Sequence, residues 1–470
     1  MAYWQPLRGI QDPIPIRQFD GVYKPDDPGF NLSDNLFTDL INFSPDAYPA
    51  IKTMPGNEVL GAFGSGIVLG MGAWKDKELH VLFNDGSWRK WNGTSWTTLL
   101  NAGTLNTTDR SSFVNFQGNL STISLIMANG VDPVKYYDGS TVQNLSNAPS
   151  GSKFIEQHDN RVYVATGNIV NFSALRKPTD WTTVNDAGQI VVETPDGENI
   201  TALKAGPKHL IVFKPNNMFD LLGSGPSDYT LVPIAADIGA INNNCVVNIG
   251  GMVYFLHTTG VYSYSSARPK NDFCKPIMQY IKRINLNSLD KCSVGTDGLH
   301  LYVSLPLDTS TTPNIILQYD LSHGTWYTWA DYSAVNFAFI EGSLYIGNAN
   351  GQVRRVTGTT NNGSAIVATA ITKPFTNDSI ARRSEWFKIW VVASAYSTST
   401  LTISTSRSPS GDSDWQKVKV LSLAAGTHYK MVLVPTNGLV NVNVVRIKLV
   451  CTGNMAIHEI SRQLRILPMK

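Results

Sequence analysis

The strongest constraint on this chain is a recurring step. A Gly- or Asp-containing turn followed by a short alternating strand appears in KDKELHVLF, HDNRVYVAT, GPKHLIVF, IGGMVYFL, TDGLHLYVSL and IEGSLYIG. The strand centres are Val81, Tyr163, Ile211, Tyr254, Tyr302 and Tyr345, and a weaker copy, FQGNLSTISL, ends on Leu125 between the first two. Val81 to Tyr345 is 264 residues in six steps, or 44 per step. A period of roughly 40 to 50 residues is that of a four-stranded blade. The expected fold class is therefore all-β: a β-propeller of about seven (six to eight) blades over residues 59–357. A pair of β-sandwiches would account for the strands but not for their even spacing.

A second hairpin follows in most copies, as in SWRKWNGTSW, VKYYDGSTV and IILQYDLSHGTWYTW. Asn92-Gly93 and Asp138-Gly139 predict tight two-residue turns. Tyr137, Phe172, Tyr264 and Tyr319 recur where one blade would pack on the next. A blade cannot bury both faces alone, so blades must stack and the ring must close to remove its edges. The last copy is short, and the apolar stretch 59–71 is expected to supply its missing strand.

Two helical segments are expected. In KPIMQYIKRINL, Pro276 opens a pattern that places Ile277, Ile281 and Ile284 on one face, opposite Lys282 and Arg283. SDNLFTDLI, residues 33–41, reads as another, with Ser33 as N-cap. Residues 1–58 are then an N-terminal arm. GTTNNGS, residues 358–364, reads as a linker. Beyond it the strands lengthen and lose the 44-residue step, predicting a C-terminal β-sandwich over 358–470.

The sequence offers little chemistry. Charged residues are 16% of the chain, and 38 basic against 36 acidic residues leave a net charge of +2, which does not mark a phosphate binder or membrane-surface protein. No apolar run approaches the ~20 residues of a membrane span, and the N-terminus lacks the apolar core of a secretion signal. Sequons such as Asn92-Gly-Thr and Asn199-Ile-Thr then read as Asn-rich turns. Cys245, Cys274, Cys292 and Cys451 fit no metal or redox spacing and read as free thiols. The eight histidines, His80, His158, His209, His257, His300, His323, His428 and His458, form no HxxxH and read as surface or turn residues. The Gly-rich run 61–72 lacks the Gly-Lys-Ser/Thr of a P-loop and reads as tightly packed strand. No GxSxG elbow occurs. RSPSGDSDWQKV, residues 407–418, is similar to the Asp-box of sialidases, but it stands once and outside the repeats. It reads as a hairpin tip over Trp415. The expectation is no enzyme, with no catalytic, cofactor-binding or metal-binding residue.

Three regions carry a family resemblance. NLSDNLFTDLINFSPDAYPAIKTMPG lies near the start. KPIMQYIKRINL is followed by VGTDGLHLYVSLP, IILQYDLSHGTWYTW and SLYIGNANGQVRRV. RRSEWFKIWVVAS, TISTSRSPSGDSDWQKV and VVRIKLVCTGNMAIHEISRQLRI close the chain. The layout resembles the β-propeller tail and head-completion proteins of tailed bacteriophages: the packaged-DNA stabilisation proteins of P22-like phages and the podoviral tail nozzle proteins. The resemblance implies a structural virion protein at the tail tube, nozzle or portal–tail junction. It further implies a homo-oligomer, a hexameric ring, in contact with portal, adaptor and other tail proteins. Contact with phage DNA would be transient and sequence-independent, without membrane insertion. Synthesis would be in the host cytoplasm. The alternatives are a carbohydrate- or receptor-binding propeller and a propeller hydrolase.

Overall fold

The structure is a computed structural model that describes residues 9–61, 66–377, 379–411, 414–436 and 438–468. Seven small antiparallel sheets succeed one another along the chain. Blade one comprises Val68–Trp74, Glu78–Phe83, Trp88–Trp91 and Trp96–Leu100. Blade two runs from Ser112–Phe116 to Val142–Asn144, blade three from Phe154–His158 to Gly188–Val191, and blade four from Ala202–Ala205 to Thr230–Ala235. Blade five has three strands, Val246–Ile249, Met252–His257 and Gly260–Tyr264. Blade six runs from Ser293–Thr296 to Thr325–Trp329, and blade seven begins with Ala334–Ile340. The first strand of each blade lies against the first strand of the next, and that of blade seven returns to Val68–Trp74. The ring is closed, and the molecule is a seven-bladed propeller.

Val81, Leu125, Tyr163, Ile211, Tyr254, Tyr302 and Tyr345 each occupy the second strand of a different blade. That strand is flanked on both edges and packed on both faces, so it carries the strongest apolar pattern. Separate buried clusters fill the gaps between neighbouring blades. Tyr137 packs with Trp88 between blades one and two, Phe172 with Leu210 between three and four, and Tyr264 with Phe213 between four and five. Tyr319 packs at a tilt against Phe273 and Trp326 in the blade five–six region. The hairpin turns differ from expectation. Trp91 pairs with Trp96 and Tyr137 with Val142, leaving four-residue loops. The Asn92 carboxamide oxygen accepts from the Thr94 and Ser95 amides, and the Asp138 carboxylate from Ser140 and Thr141. These side chains close the loops in place of a two-residue turn.

Ring closure also departs in detail. The fourth strand of blade seven is Asn57–Val59, paired antiparallel with Val353–Val356. Of the stretch 59–71, only Val59 belongs to that strand; Val68 onward is the inner strand of blade one, and residues 62–65 lie outside the described set. The stretch 358–364 is not a free linker: Thr360–Asn361 and Ser364–Ala365 form a hairpin beside Asn57.

The rest of the chain forms two larger antiparallel sheets. One contains Met455–Ile466 at its middle, flanked by Ile51–Thr53 and by Ser384–Ala395, with Thr427–Val434 at the edge. The other orders Phe37–Ile41, Val367–Thr372, Arg446–Thr452, Ser399–Ser406 and Gln416–Leu423. Residues 33–41 therefore hold a strand, not a helix. Phe37 and Leu40 are both buried, and Ile41 pairs in parallel with Thr328 on the outer strand of blade six. One nine-stranded sheet thus runs from blade six into the C-terminal region. Residues 9–58 are not an arm, since their strands insert into both C-terminal sheets and blade seven. The buried side chains Ile389, Val391, Leu401 and Leu449 belong to one apolar cluster with Leu40, Leu301 and Trp326. The helical insert joins that cluster through Ile277, Ile281 and Ile284. It is a 3₁₀ segment, Asp272–Ile277, with Pro276 inside it, followed by the single α-helical turn Met278–Ile281.

Candidate functional site

The propeller axis is the natural place to look for a site, because seven inner strands converge there. Here the space is small. A cavity of about 270 Å³ is lined by Met71, Phe113, Glu156, Lys204, Val247 and Phe337, among others. Phe113 lies so close to Gly72 that an added Cβ would stand 2.7 Å from the ring, and Phe337 lies likewise against Gly295 at 2.3–2.4 Å. These glycines make room for rings that narrow the axis; Gly72 belongs to the Gly-rich run 61–72, of which residues 62–65 lie outside the described set. Lys204 and Glu156 form an ion pair across neighbouring blades at 2.9 Å.

One end of the axis opens into a cavity of about 920 Å³, lined by the connections that lead into the inner strands. Its polar walls include Asp109, Lys153, Glu198, Asn216, Asn243 and Asp290, and its apolar walls include Phe154 and Ile241. The floor is a network centred on Arg110, just before the inner strand of blade two. Its guanidinium donates to the carbonyls of Asp290 at 2.8 Å and Cys292 at 3.0 Å, and also to the carbonyl of Val335 in blade seven. The Asn336 carboxamide donates to the Val68 carbonyl at 2.7 Å and meets Asn244 at 2.7 Å. Asn242 donates to the Leu289 carbonyl at 3.0 Å. Blades one, two, five, six and seven are thereby stapled across the axis. Burial pushes the Arg110 guanidinium down to about 10, outweighing the opposing pull of the nearby Cys245, Cys292 and Asp290 side chains.

The other residues weighed from sequence fall elsewhere. His80 and His257 are buried, contrary to the surface or turn reading. The Trp88 indole donates to His80 Nδ1 at 3.0 Å, which leaves Nε2 to donate to Glu78 at 2.8 Å. Burial holds His80 below its ordinary pKa. His257 contacts Thr259 at 2.7 Å. His300 and His323 do sit at turns, against Asp297 at 2.8 Å and Asp320 at 2.6 Å. All four cysteines are buried and unbridged. In 407–418, Asp414 accepts from Ser406 Oγ at 2.6 Å, and Trp415 lies under Arg446 and Lys448 at 4.8 and 5.4 Å. That is a hairpin tip held by cation–π contacts; residues 412 and 413 lie outside the described set. Among the described residues, no three His, Cys, Asp or Glu are placed to hold a metal ion, and no helix is long and apolar enough to cross a membrane. Sequence reasoning missed Arg110, one arginine in the polar loop TLNTTDRSS; its only signal is its place one turn ahead of an alternating strand.

No family model matches the chain, and no curated protein matches it. Solved structures resemble it at low identity. YCF48 bound to a D1 peptide is 9% identical, the likeness covering 65% of this chain and 99% of that one with a TM-score of 0.43. The extracellular domain of a one-component system from B. thetaiotaomicron is 10% identical, over 88% of this chain and 62% of that one, with a TM-score of 0.47. The WD40 β-propeller domain of Doa1 is 9% identical, over 64% and 96%, with a TM-score of 0.42. What they share with this chain is the propeller, which the strand pairing described above defines.

Proposed function

We propose that this chain is a structural subunit of a tailed-phage virion, part of the tail tube, nozzle or portal–tail junction that conducts and retains DNA, and that it is not an enzyme. The reading starts from the resemblance in the opening, late-blade and C-terminal segments. The observation that carries it further is the continuous sheet joining blade six to one of the two C-terminal sheets. A propeller fused in this way to a second β-rich module is a stiff wedge, suited to tiling a tube. The axis of each propeller, narrowed by Phe113 and Phe337 and stapled by Arg110, is no conduit for a duplex. A channel would have to form between copies, in a ring that the resemblance puts at six. DNA contact would then be weak and sequence-independent, and the portal, adaptor and other tail proteins would be the neighbours. Electron microscopy of purified particles labelled with an antibody to this chain tests the reading. Label at the tail or portal vertex is expected, and particles free of label overturn it.

The roughly 920 Å³ cavity favours a second reading, a carbohydrate- or receptor-binding propeller. Asn216, Asn243 and Glu198 beside Phe154 are groups that bind hydroxyls and stack on sugar rings. Glycan-array binding by the pure chain, lost on Phe154→Ala, would favour it.

A further inference from the structure

Arg462 breaks an apolar file. On Met455–Ile466, Ile460, Arg462, Leu464 and Ile466 alternate onto one face, and all four are buried. Strand pairing sets Arg462 between Ile14, on the edge strand Ile14–Ile16, and Ile389. The Arg462 guanidinium lies over the Phe375 ring at 4.1 Å and donates through Nη2 to the Asp34 carboxylate. Lys373 Nζ stands 3.1 Å from the same carboxylate, so two cations share one anion. Arg462 Nη1 is buried and meets no acceptor. Pairing with Asp34 accounts for a charge in this file. It does not account for the surplus charge or for the unused donor. Beside Arg462 lies a cavity of about 320 Å³. Ile14, Phe375, Trp386 and Leu464 supply apolar walls, and Gln11 and Thr376 stand on its polar side. Both polar residues are half-buried, and neither side chain hydrogen-bonds another group among the described residues. Among the described residues, Arg462 is the one charged side chain that lines this cavity.

We infer that this cavity binds a carboxylate carried on a short apolar stem. One carboxylate against two cations leaves a surplus of one positive charge, which selects a monoanion. A guanidinium has more N–H donors than Asp34 engages, and their planar array matches carboxylate oxygens. The Gln11 amide and the Thr376 hydroxyl can donate to the same oxygens. The walls select the rest of the ligand. The rings of Phe375 and Trp386 and the aliphatic faces of Ile14 and Leu464 cover a hydrocarbon stem, and they would strip water from a multiply charged phosphate without replacing it. The volume is at the small end for ligand sites, which suits a short-chain acid or one side chain. This chemistry has two sources: a free short-chain acid, or an acidic group of a neighbouring protein. The inference draws on neither the virion reading nor the cavity at the propeller axis.

Ligand-observed NMR titration of the full chain with hexanoate, against its neutral isostere hexanamide, tests the site. Hexanoate should bind with a dissociation constant on the order of 1 mM, and hexanamide about tenfold or more weakly. Arg462→Gln should abolish hexanoate binding. Because that change also strands Asp34, Gln11→Leu with Thr376→Val provides a second variant that leaves the ion pair intact. It should weaken hexanoate about tenfold, with a melting profile close to wild type. In a crystal soaked with bromobenzoate, the anomalous peak of the bromine should lie in the cavity beside Trp386. The site is overturned if acid and amide bind alike, if the double variant binds hexanoate like wild type, or if the bromine lies elsewhere. Inorganic phosphate that competes more strongly than hexanoate would overturn the carboxylate assignment. An acetylated tripeptide ending in leucine separates the two sources. Binding of its free acid, but not of its C-terminal amide, about tenfold or more tighter than hexanoate assigns the site to a neighbouring chain. Weaker binding than that assigns it to a short-chain acid.

Discussion

Replacing Asn57 by alanine removes the side chain that seats the closing strand of the ring. Asn57 is buried, and its carboxamide nitrogen donates to the Tyr332 hydroxyl at 2.9 Å and to Asn361 Oδ1 at 2.9 Å. Each such bond contributes about 1 kcal/mol net, and a buried hydroxyl left without its partner costs about 1–3 kcal/mol. Tyr332 is buried as well, so Asn57→Ala should destabilise by about 3–4 kcal/mol. Adding Tyr332→Phe removes the stranded hydroxyl and should recover about 1–2 kcal/mol of that loss. Equilibrium urea unfolding, followed by tryptophan fluorescence and by circular dichroism, reads both changes. With a slope of about 3 kcal/mol per molar, the single variant should shift the midpoint by on the order of 1 M. Were the closing strand seated elsewhere, Asn57 would face solvent, and the substitution would cost under about 0.5 kcal/mol. A midpoint indistinguishable from wild type, or a double variant no more stable than the single one, would refute the closure described here.

Tyr302→Asp places a carboxylate in the blade six–seven core, where Tyr302 is buried beside Trp329 and Ile316. A loss of several kcal/mol and failure to fold are expected. Tyr254 is only half-buried, edge-on to Phe273 at 6.0 Å, so Tyr254→Asp should remain soluble and folded with a lowered melting temperature. Burial opposes ionisation of both Asp297 and His300, but the hydrogen bond and charge each supplies to the other prevail, holding Asp297 below and His300 above its ordinary value. The Asp297 contribution is present above the unfolded value near 4 and lost as pH falls; the His300 contribution is full below about 6.5 and lost as pH rises through its raised value. The stability gap between wild type and His300→Gln should therefore be wider near pH 5.5 than at pH 9, measured by urea midpoints; a gap independent of pH would contradict the pairing. Burial also raises the four thiols, Cys274 to about 11 and Cys292 to about 12. A thiol reagent should titrate none of them in the folded protein and all of them in denaturant; rapid reaction of any one would contradict its burial.

The repeat was legible because its marker strands sit centrally within blades, where Tyr163 or Ile211 must be apolar whatever the neighbouring loops do. Asn57–Val59 was not legible: three residues carry no period, and their role is set by Val353–Val356 almost 300 positions away. Phe37–Ile41 misleads for the same reason. A strand buried between blade six and a C-terminal strand shows Phe37, Leu40 and Ile41 at spacings that also suit a helix. Asp138 closes its loop through its own side chain, so its Asp-Gly pair did not fix the loop length. The Arg110 network was invisible because its acceptors are backbone carbonyls, which any sequence supplies.

The late partners of the early strands also set the order of events on the ribosome. Phe37–Ile41 waits for Thr325–Trp329 and Val367–Thr372, and Asn57–Val59 waits for Val353–Val356. Phe37–Ile41 and Asn57–Val59 must therefore emerge and remain unpaired until most of the chain has been translated, a slow, non-local route that leaves edges open to misassembly. A chain terminated before residue 325 can close neither junction, so such products should be open to proteolysis.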